Sequence, residues 1–262
     1  MTLIVFLAPH SGIAQTVTPA SGGTNISADD YATGTWTTIT GPTITETAPG
    51  QLSPGDIRLQ IPSGFEFDST GTDPSITITS PKAQKVYLSV TDRTDSEIVF
   101  TLTGSSSGNP KNNPHTIAIG NIRIRPSRGT PLASGDITNA GSSAPGGTQN
   151  YGSLSFIAGA DAKIRVESAS DASGSLISTQ NVEAGTFITV YSNVRDQFNN
   201  FKRNESASWS LQNITGNVVS GDLSASGGSA TFTGDLVGSA NIQATSGALT
   251  TVSSGLLTVV YL

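Results

Sequence analysis

Acid–base and nucleophilic chemistry in this 262-residue chain would have to come from two histidines, nineteen carboxylates and many hydroxyls, because it contains no cysteine. His10 sits in an apolar leader expected to be removed, which leaves His115 as the one imidazole of the mature chain. It falls in Asn112-Asn-Pro-His-Thr116, which reads as a loop entering a strand. A serine nucleophile needs a base, and His115 is the only imidazole available for that role. A glycosidase needs two carboxylates facing each other across a cleft. Glu46, Glu66, Glu97, Glu167, Glu183 and Glu205 are dispersed, several in strand patterns that a solvated face explains. The best acidic pairings are Asp29 with Asp30, Asp92 with Asp95, and Asp161 with Asp171. None has the spaced Asp loop of an EF-hand, so turn capping is the reading over calcium binding. No catalytic, cofactor-binding or metal-binding residue is expected, no cofactor is implied, and the chain reads as a non-enzyme.

Only 12% of residues are charged, so surface polarity must come from hydroxyls and amides. A net charge of −6 and a pI near 4.8 argue against a nucleic-acid partner, which would require a basic stripe. The tightest basic group, Arg123, Arg125 and Arg128, lies on and just after a predicted strand. There Arg123 and Arg125 share one face, read as a solvated sheet face. Thr2-Leu-Ile-Val-Phe-Leu-Ala8 followed by Ser11-Gly-Ile-Ala-Gln15 reads as a signal-peptide remnant over 1–15. That run is too short to span a bilayer, and no later segment is a membrane-span candidate. Export without disulfides fits a bacterial secreted or cell-surface protein. The sequons at Asn25, Asn204 and Asn213 follow from a composition rich in Ser, Thr and Asn.

The elements that would position these side chains are strands. Ile57, Leu59 and Ile61 alternate with Arg58 and Gln60; Val86, Leu88 and Val90, then Ile98, Phe100 and Leu102, follow the same period of two. Turn clusters such as Ser53-Pro-Gly-Asp56 and Gly71-Thr-Asp-Pro74 separate them, and no helix is predicted. Residues 139–150 read as a flexible loop inside the first unit. Ala158-Gly-Ala-Asp161 reads as a hinge. The expected fold is all-β: two tandem antiparallel β-sandwiches, at 16–157 and 158–262, the second of Ig-like size with Trp209 as a core anchor.

The second half resembles the bacterial Ig-like repeats, the invasin-type group included, of large secreted and surface proteins. The residues that carry this are Val182-Glu-Ala-Gly185, Ile188-Thr-Val-Tyr-Ser-Asn-Val194, Arg195-Asp-Gln-Phe-Asn-Asn200 and Ser254-Gly-Leu-Leu-Thr-Val-Val260. Asn199-Asn200 stands where Gly-Asn is usual, and Asn also tolerates the left-handed conformation. The first half looks like a companion module seen beside such repeats. It does so through Leu52-Ser-Pro-Gly-Asp-Ile-Arg-Leu-Gln-Ile-Pro-Ser-Gly-Phe-Glu-Phe-Asp68, Asn121-Ile-Arg-Ile-Arg-Pro126 and Gly129-Thr-Pro-Leu-Ala-Ser-Gly-Asp136. The resemblance implies a non-catalytic stalk, spacer or adhesive segment. Its partners would be other protein domains or a cell-surface or glycan ligand, with self-association through exposed edge strands. The alternative is a pair of carbohydrate-binding modules using exposed aromatics, drawn from Tyr31, Trp36, Tyr87, Tyr151, Tyr191 and Trp209. An enzyme built across the two domains would need a cleft that gathers His115 with a buried carboxylate.

Overall fold

The computed structural model describes residues 15–48, 50–80, 86–106 and 114–261. The expected leader up to residue 14, His10 included, lies outside the described residues, as do Asn112 and Asn113 beside His115. Two compact units are present. One runs to Arg128 and resumes over Ala133–Ile157, and the other takes Gly129–Leu132 and Ala158–Leu262.

In the first unit the strands are β1 (Thr16–Thr18), β2 (Ile26–Ser27), β3 (Thr37–Ile39), β4 (Thr43–Thr45), β5 (Gly55–Gln60), β6 (Phe65–Phe67), β7 (Ser75–Thr79), β8 (Val86–Arg93), β9 (Glu97–Gly104), β10 (Thr116–Gly120), β11 (Ile122–Pro126), β12 (Ser134–Asn139) and β13 (Gly152–Ile157). One layer has the order β2-β13-β12-β5-β9-β8; the other is β1-β4-β10-β7, carried on as β3-β11-β6. The period of two decides what is buried. Ile57 and Leu59 of β5 point inward while Arg58 and Gln60 point out, and they pair with Phe100 and Ile98 of β9. Ile44, Phe67, Ile117 and Ile124 fill the core from the opposing layer.

That opposing layer bends at Gly41 (φ 78°), between β3 and β4, and at Asn121 (φ 55°), between β10 and β11. A Cβ on Gly41 would stand 2.0 Å from the Ile119 carbonyl oxygen, so the position requires glycine on two grounds. Gly41→Ala is expected to destabilise the first unit by about 2–3 kcal/mol, read as a lowered midpoint in calorimetry. An unchanged midpoint would mean that the bend can slide to another residue.

Two local expectations are corrected. Asp29–Thr33 forms one turn of helix, α1, where none was expected; its first-turn acids Asp29 and Asp30 complement the helix N-terminus. Residues 139–150 are tied down: Asn139 is buried, accepts from the Arg58 amide (2.8 Å) and donates to Ala144 O (3.1 Å), and Tyr151 Oη donates to Pro145 O (2.6 Å).

The second unit is built from β14 (Lys163–Glu167), β15 (Gln180–Glu183), β16 (Thr186–Arg195), β17 (Phe201–Asn204), β18 (Ser208–Gly216), β19 (Leu223–Ser226), β20 (Ser229–Gly234), β21 (Gly238–Thr245), β22 (Thr250–Val252) and β23 (Leu257–Val260). Its layers are β19-β20-β16-β14-β22, with β17 also on β16, and β15-β23-β21-β18. Read in chain order, the first layer is the D-E-B-A sheet and the second the A′-G-F-C sheet of an immunoglobulin domain. This unit is Ig-like by strand order. Val190 on strand B and Ile242 on strand F occupy the interior without a disulfide, together with Ile164, Val166, Phe232 and Val259. Trp209 sits on strand C, where Ig domains carry their core tryptophan. It is half-buried, packs against this cluster, and donates Nε1–H to Gly227 O at 3.0 Å.

Candidate functional site

Inside the first unit the Glu46 carboxylate, just after β4, is 1% exposed and gathers five donors. Oε1 accepts from the Gln51 and Leu52 amides, each at 2.8 Å, and from Ser106 Oγ. Oε2 accepts from the His115 amide at 2.9 Å and from His115 Nδ1 at 3.0 Å. Burial pushes the Glu46 pKa up. Hydrogen bonds from Ser106, from the His115 and Leu52 amides and from the His115 ring outweigh it and hold the carboxyl below its ordinary range. The other ring nitrogen, Nε2, lies 3.1 Å from Ser80 Oγ.

His115 lies in the loop entering β10, as expected, but is 2% exposed, and Glu46 is buried rather than on a solvated face. The pairing of His115 with a buried carboxylate is present, but within the first unit. Ser80, His115 and Glu46 reproduce the hydrogen-bond order of a serine relay. Glu46 anchors two segments of backbone as well as the ring, which is the work of a structural pin. Against the expectation of no Gly-x-Ser-x-Gly elbow, the sequence holds one such run, Gly104-Ser-Ser-Ser-Gly108. Its middle serine, Ser106, is fully buried and bonded to Glu46 and to Leu52 O, so it faces no solvent.

A second knot closes one end of the second unit. Glu167, fully buried at the end of β14, accepts from Arg195 Nε (2.6 Å) and Nη2 (2.7 Å) as a two-point pair, and from Asn193 Nδ2 (2.8 Å). Arg165 Nε lies 3.3 Å from the same carboxylate as an ion pair without hydrogen-bond alignment. Arg195 also donates to Asn199 O and Gly174 O, each at 2.8 Å. Asp196 is fully buried and accepts from the Gly159, Phe198 and Asn200 amides, each at 2.9 Å, and from Asn200 Nδ2 at 2.8 Å. Asn199 takes φ 70°, the left-handed turn conformation that Gly supplies in the usual motif. Glu167, like Glu46, is therefore buried rather than solvated.

The surface candidates separate. Trp36 is half-buried under Arg125, whose guanidinium carbon stands 4.2 Å from the ring centre, with Arg123 at 5.9 Å. Those arginines also pair with Glu66 (2.5 Å) and Asp68 (2.7 Å), so their face is a stacked ion-pair ladder and not simply solvated. Tyr31 and Tyr87 are exposed but Tyr151 is fully buried, which removes it from any aromatic strip. Among the acids, Asp161 pairs with Lys202 (3.0 Å) and Arg203 (2.7 Å). Hydrogen bonds from Arg203 and Lys202 hold it down to about 2. Asp95 accepts from Ser69 Oγ (2.5 Å), and Asp171 from the Ser173 amide (2.9 Å). Among the described residues no group of three or more His, Cys, Asp or Glu could hold a metal, and no helix is long and apolar enough to cross a membrane.

No protein-family model matches the chain. No curated protein matches it either. Among solved structures, the Escherichia coli adhesin FdeC aligns at 15% identity with a TM-score of 0.31, covering 95% of this chain and 64% of that one. This chain thus spans just under two thirds of the adhesin chain. BcpA, the major pilin subunit of Bacillus cereus, aligns at 10% identity with a TM-score of 0.30, over 95% and 69% of the two chains. The N-terminal Ig1-2 module of the Drosophila receptor protein tyrosine phosphatase DLAR aligns at 10% identity with a TM-score of 0.24, over 95% and 99%.

Proposed function

We propose that this chain is a non-catalytic structural or adhesive segment of a bacterial secreted or surface protein, its modules at 16–157 and 158–262 serving as spacers that carry tension. One observation supports this above the others: in each unit, strands near the chain's entry and exit pair in parallel. In the first unit β2 runs parallel to β13, Phe156 opposite Ile26, with a further parallel bridge between Ala20 and Gly152. In the second, β14 runs parallel to β22, and β15 to β23 in the register Gln180 to Leu257 through Glu183 to Val260. A chain pulled at its two ends draws such strands past each other, so their hydrogen bonds must fail together. An antiparallel terminal pair would peel one bond at a time. The apolar stretch at 2–8, read as an export signal, fits an extracellular setting, and without cysteine packing alone resists force.

The lack of native cysteine lets two introduced thiols define a pulling axis. Single molecules of a Gln180→Cys/Tyr261→Cys variant load the β15–β23 pair in shear. A Glu183→Cys/Tyr261→Cys variant loads the same pair from one end. The shear axis is expected to need a rupture force several times higher. Equal forces along the two axes would remove the tension-carrying reading.

A further inference from the structure

The second unit is polarised. Its cations, Lys163, Arg165, Arg195, Lys202 and Arg203, lie on β14, β17 and the C-terminal end of β16, and no Lys or Arg occurs from Asn204 to Leu262. The opposite end gathers the end of β15, the start of β16, the β18–β19 and β20–β21 loops and the end of β23. The links that bring them together are Gly185 N to Gly234 O (2.8 Å), Ala184 N to Val260 O (2.9 Å) and Asn217 N to Val237 O (3.0 Å). At this end large apolar side chains stand in solvent: Phe187 is 69% exposed, Val219 56%, Leu236 49% and Val237 42%. Apolar side chains gathered at one end, rather than scattered singly, mark an interaction surface. The exposed charges beside it, Glu183 and Asp235, are acidic.

From the apolar patch and its wholly acidic rim we infer that this end of the second unit is a docking surface for a partner protein whose contact face is apolar at its centre and carries Lys or Arg around it. Phe187 is the anchor, offering large area at small cost in side-chain freedom. Glu183 and Asp235 select the sign of the partner and speed encounter. A lipid surface or a second copy would use the apolar residues alone, and the acidic rim favours neither. The inference gives the adhesive half of the proposed function a location and does not depend on how the terminal strands bear force.

The probe is a synthetic amphipathic peptide with Leu and Phe on one face and Lys on the other, titrated against the full chain. A peptide with Glu in place of Lys, and phosphatidylcholine vesicles, are run beside it. Saturable binding of the Lys peptide is expected. It should weaken about tenfold or more in Phe187→Ser/Leu236→Ser, and weaken with added salt and in Glu183→Gln/Asp235→Asn. These positions are exposed, so an unchanged thermal midpoint confirms that each variant is folded. Binding that survives both double variants, or is equal for the Glu peptide, overturns the inference. Uptake on the vesicles through Phe187, or a Phe187-dependent dimer in sedimentation, also overturns it by naming a different occupant. Such a failure leaves the rupture-force result untouched, so the two readings fall separately.

Discussion

Glu46→Ala is expected to lower the unfolding midpoint of the first unit by on the order of 10 °C while leaving the second unit's transition in place. The carboxylate is the common acceptor for the Gln51, Leu52 and His115 amides, the Ser106 hydroxyl and the His115 ring. An alanine leaves those donors without it in a region closed to water. Each orphaned buried donor costs about 1–3 kcal/mol, with relaxation and entering water recovering part, so a net loss of about 3–5 kcal/mol follows. The sign of the pH dependence follows from the Glu46 shift. Its folded pKa lies below the ordinary 4.5, so its stabilisation is fully present above that value. It is lost as the pH falls through the lower, folded-state pKa. The gap between wild type and Glu46→Ala, measured by calorimetry, should therefore be widest near neutrality and close on acidification. A gap of the same size at pH 3 and pH 7 would show that the charged carboxylate is not what holds these segments.

Arg195→Met should be the most damaging single change in the second unit, at about 3–5 kcal/mol. It leaves Glu167 buried with Asn193 as its hydrogen-bond donor and Arg165 as a misaligned neighbour, and it removes the donors to Gly174 O and Asn199 O. The double variant Glu167→Leu/Arg195→Met removes the orphaned charge along with its partner. It should be more stable than Arg195→Met alone. The measurement is a double-mutant cycle in urea. Additive costs would mean that the two groups are not coupled, against the two-point geometry.

These two knots also mark how far the sequence could be read. The alternation in Ile57-Arg-Leu59 and in the run from Ile98 to Leu102 names strands and their inward faces, because a period of two is a local property of extended backbone. The left-handed turn at Asn199 was likewise legible, since the residue's own sterics permit it. Glu46 and Glu167 were not. A glutamate at a strand end looks the same whether water or protein surrounds it, and their partners lie 69 and 28 residues away in the chain. His115 was placed at the right point, a loop entering a strand, and its buried partner was hidden for the same reason. Trp36 was singled out for an exposed role, and only pairing of β11 with β3 and β6 brings Arg125 over its face.

By itself the sequence determined that this chain is all-β and assembled from alternating strands punctuated by turns. Backbone sterics and side-chain burial act over a few residues, so those conclusions needed no partner strand. Which strands become neighbours was decided by the tertiary structure alone. The parallel pairing of β15 with β23 joins residues such as Val182 and Val259, and the Ig strand order, the buried carboxylates and the acidic apolar end of the second unit all follow from such pairings. Closing contacts of that length depends on the summed burial of two layers, a quantity that no local pattern encodes.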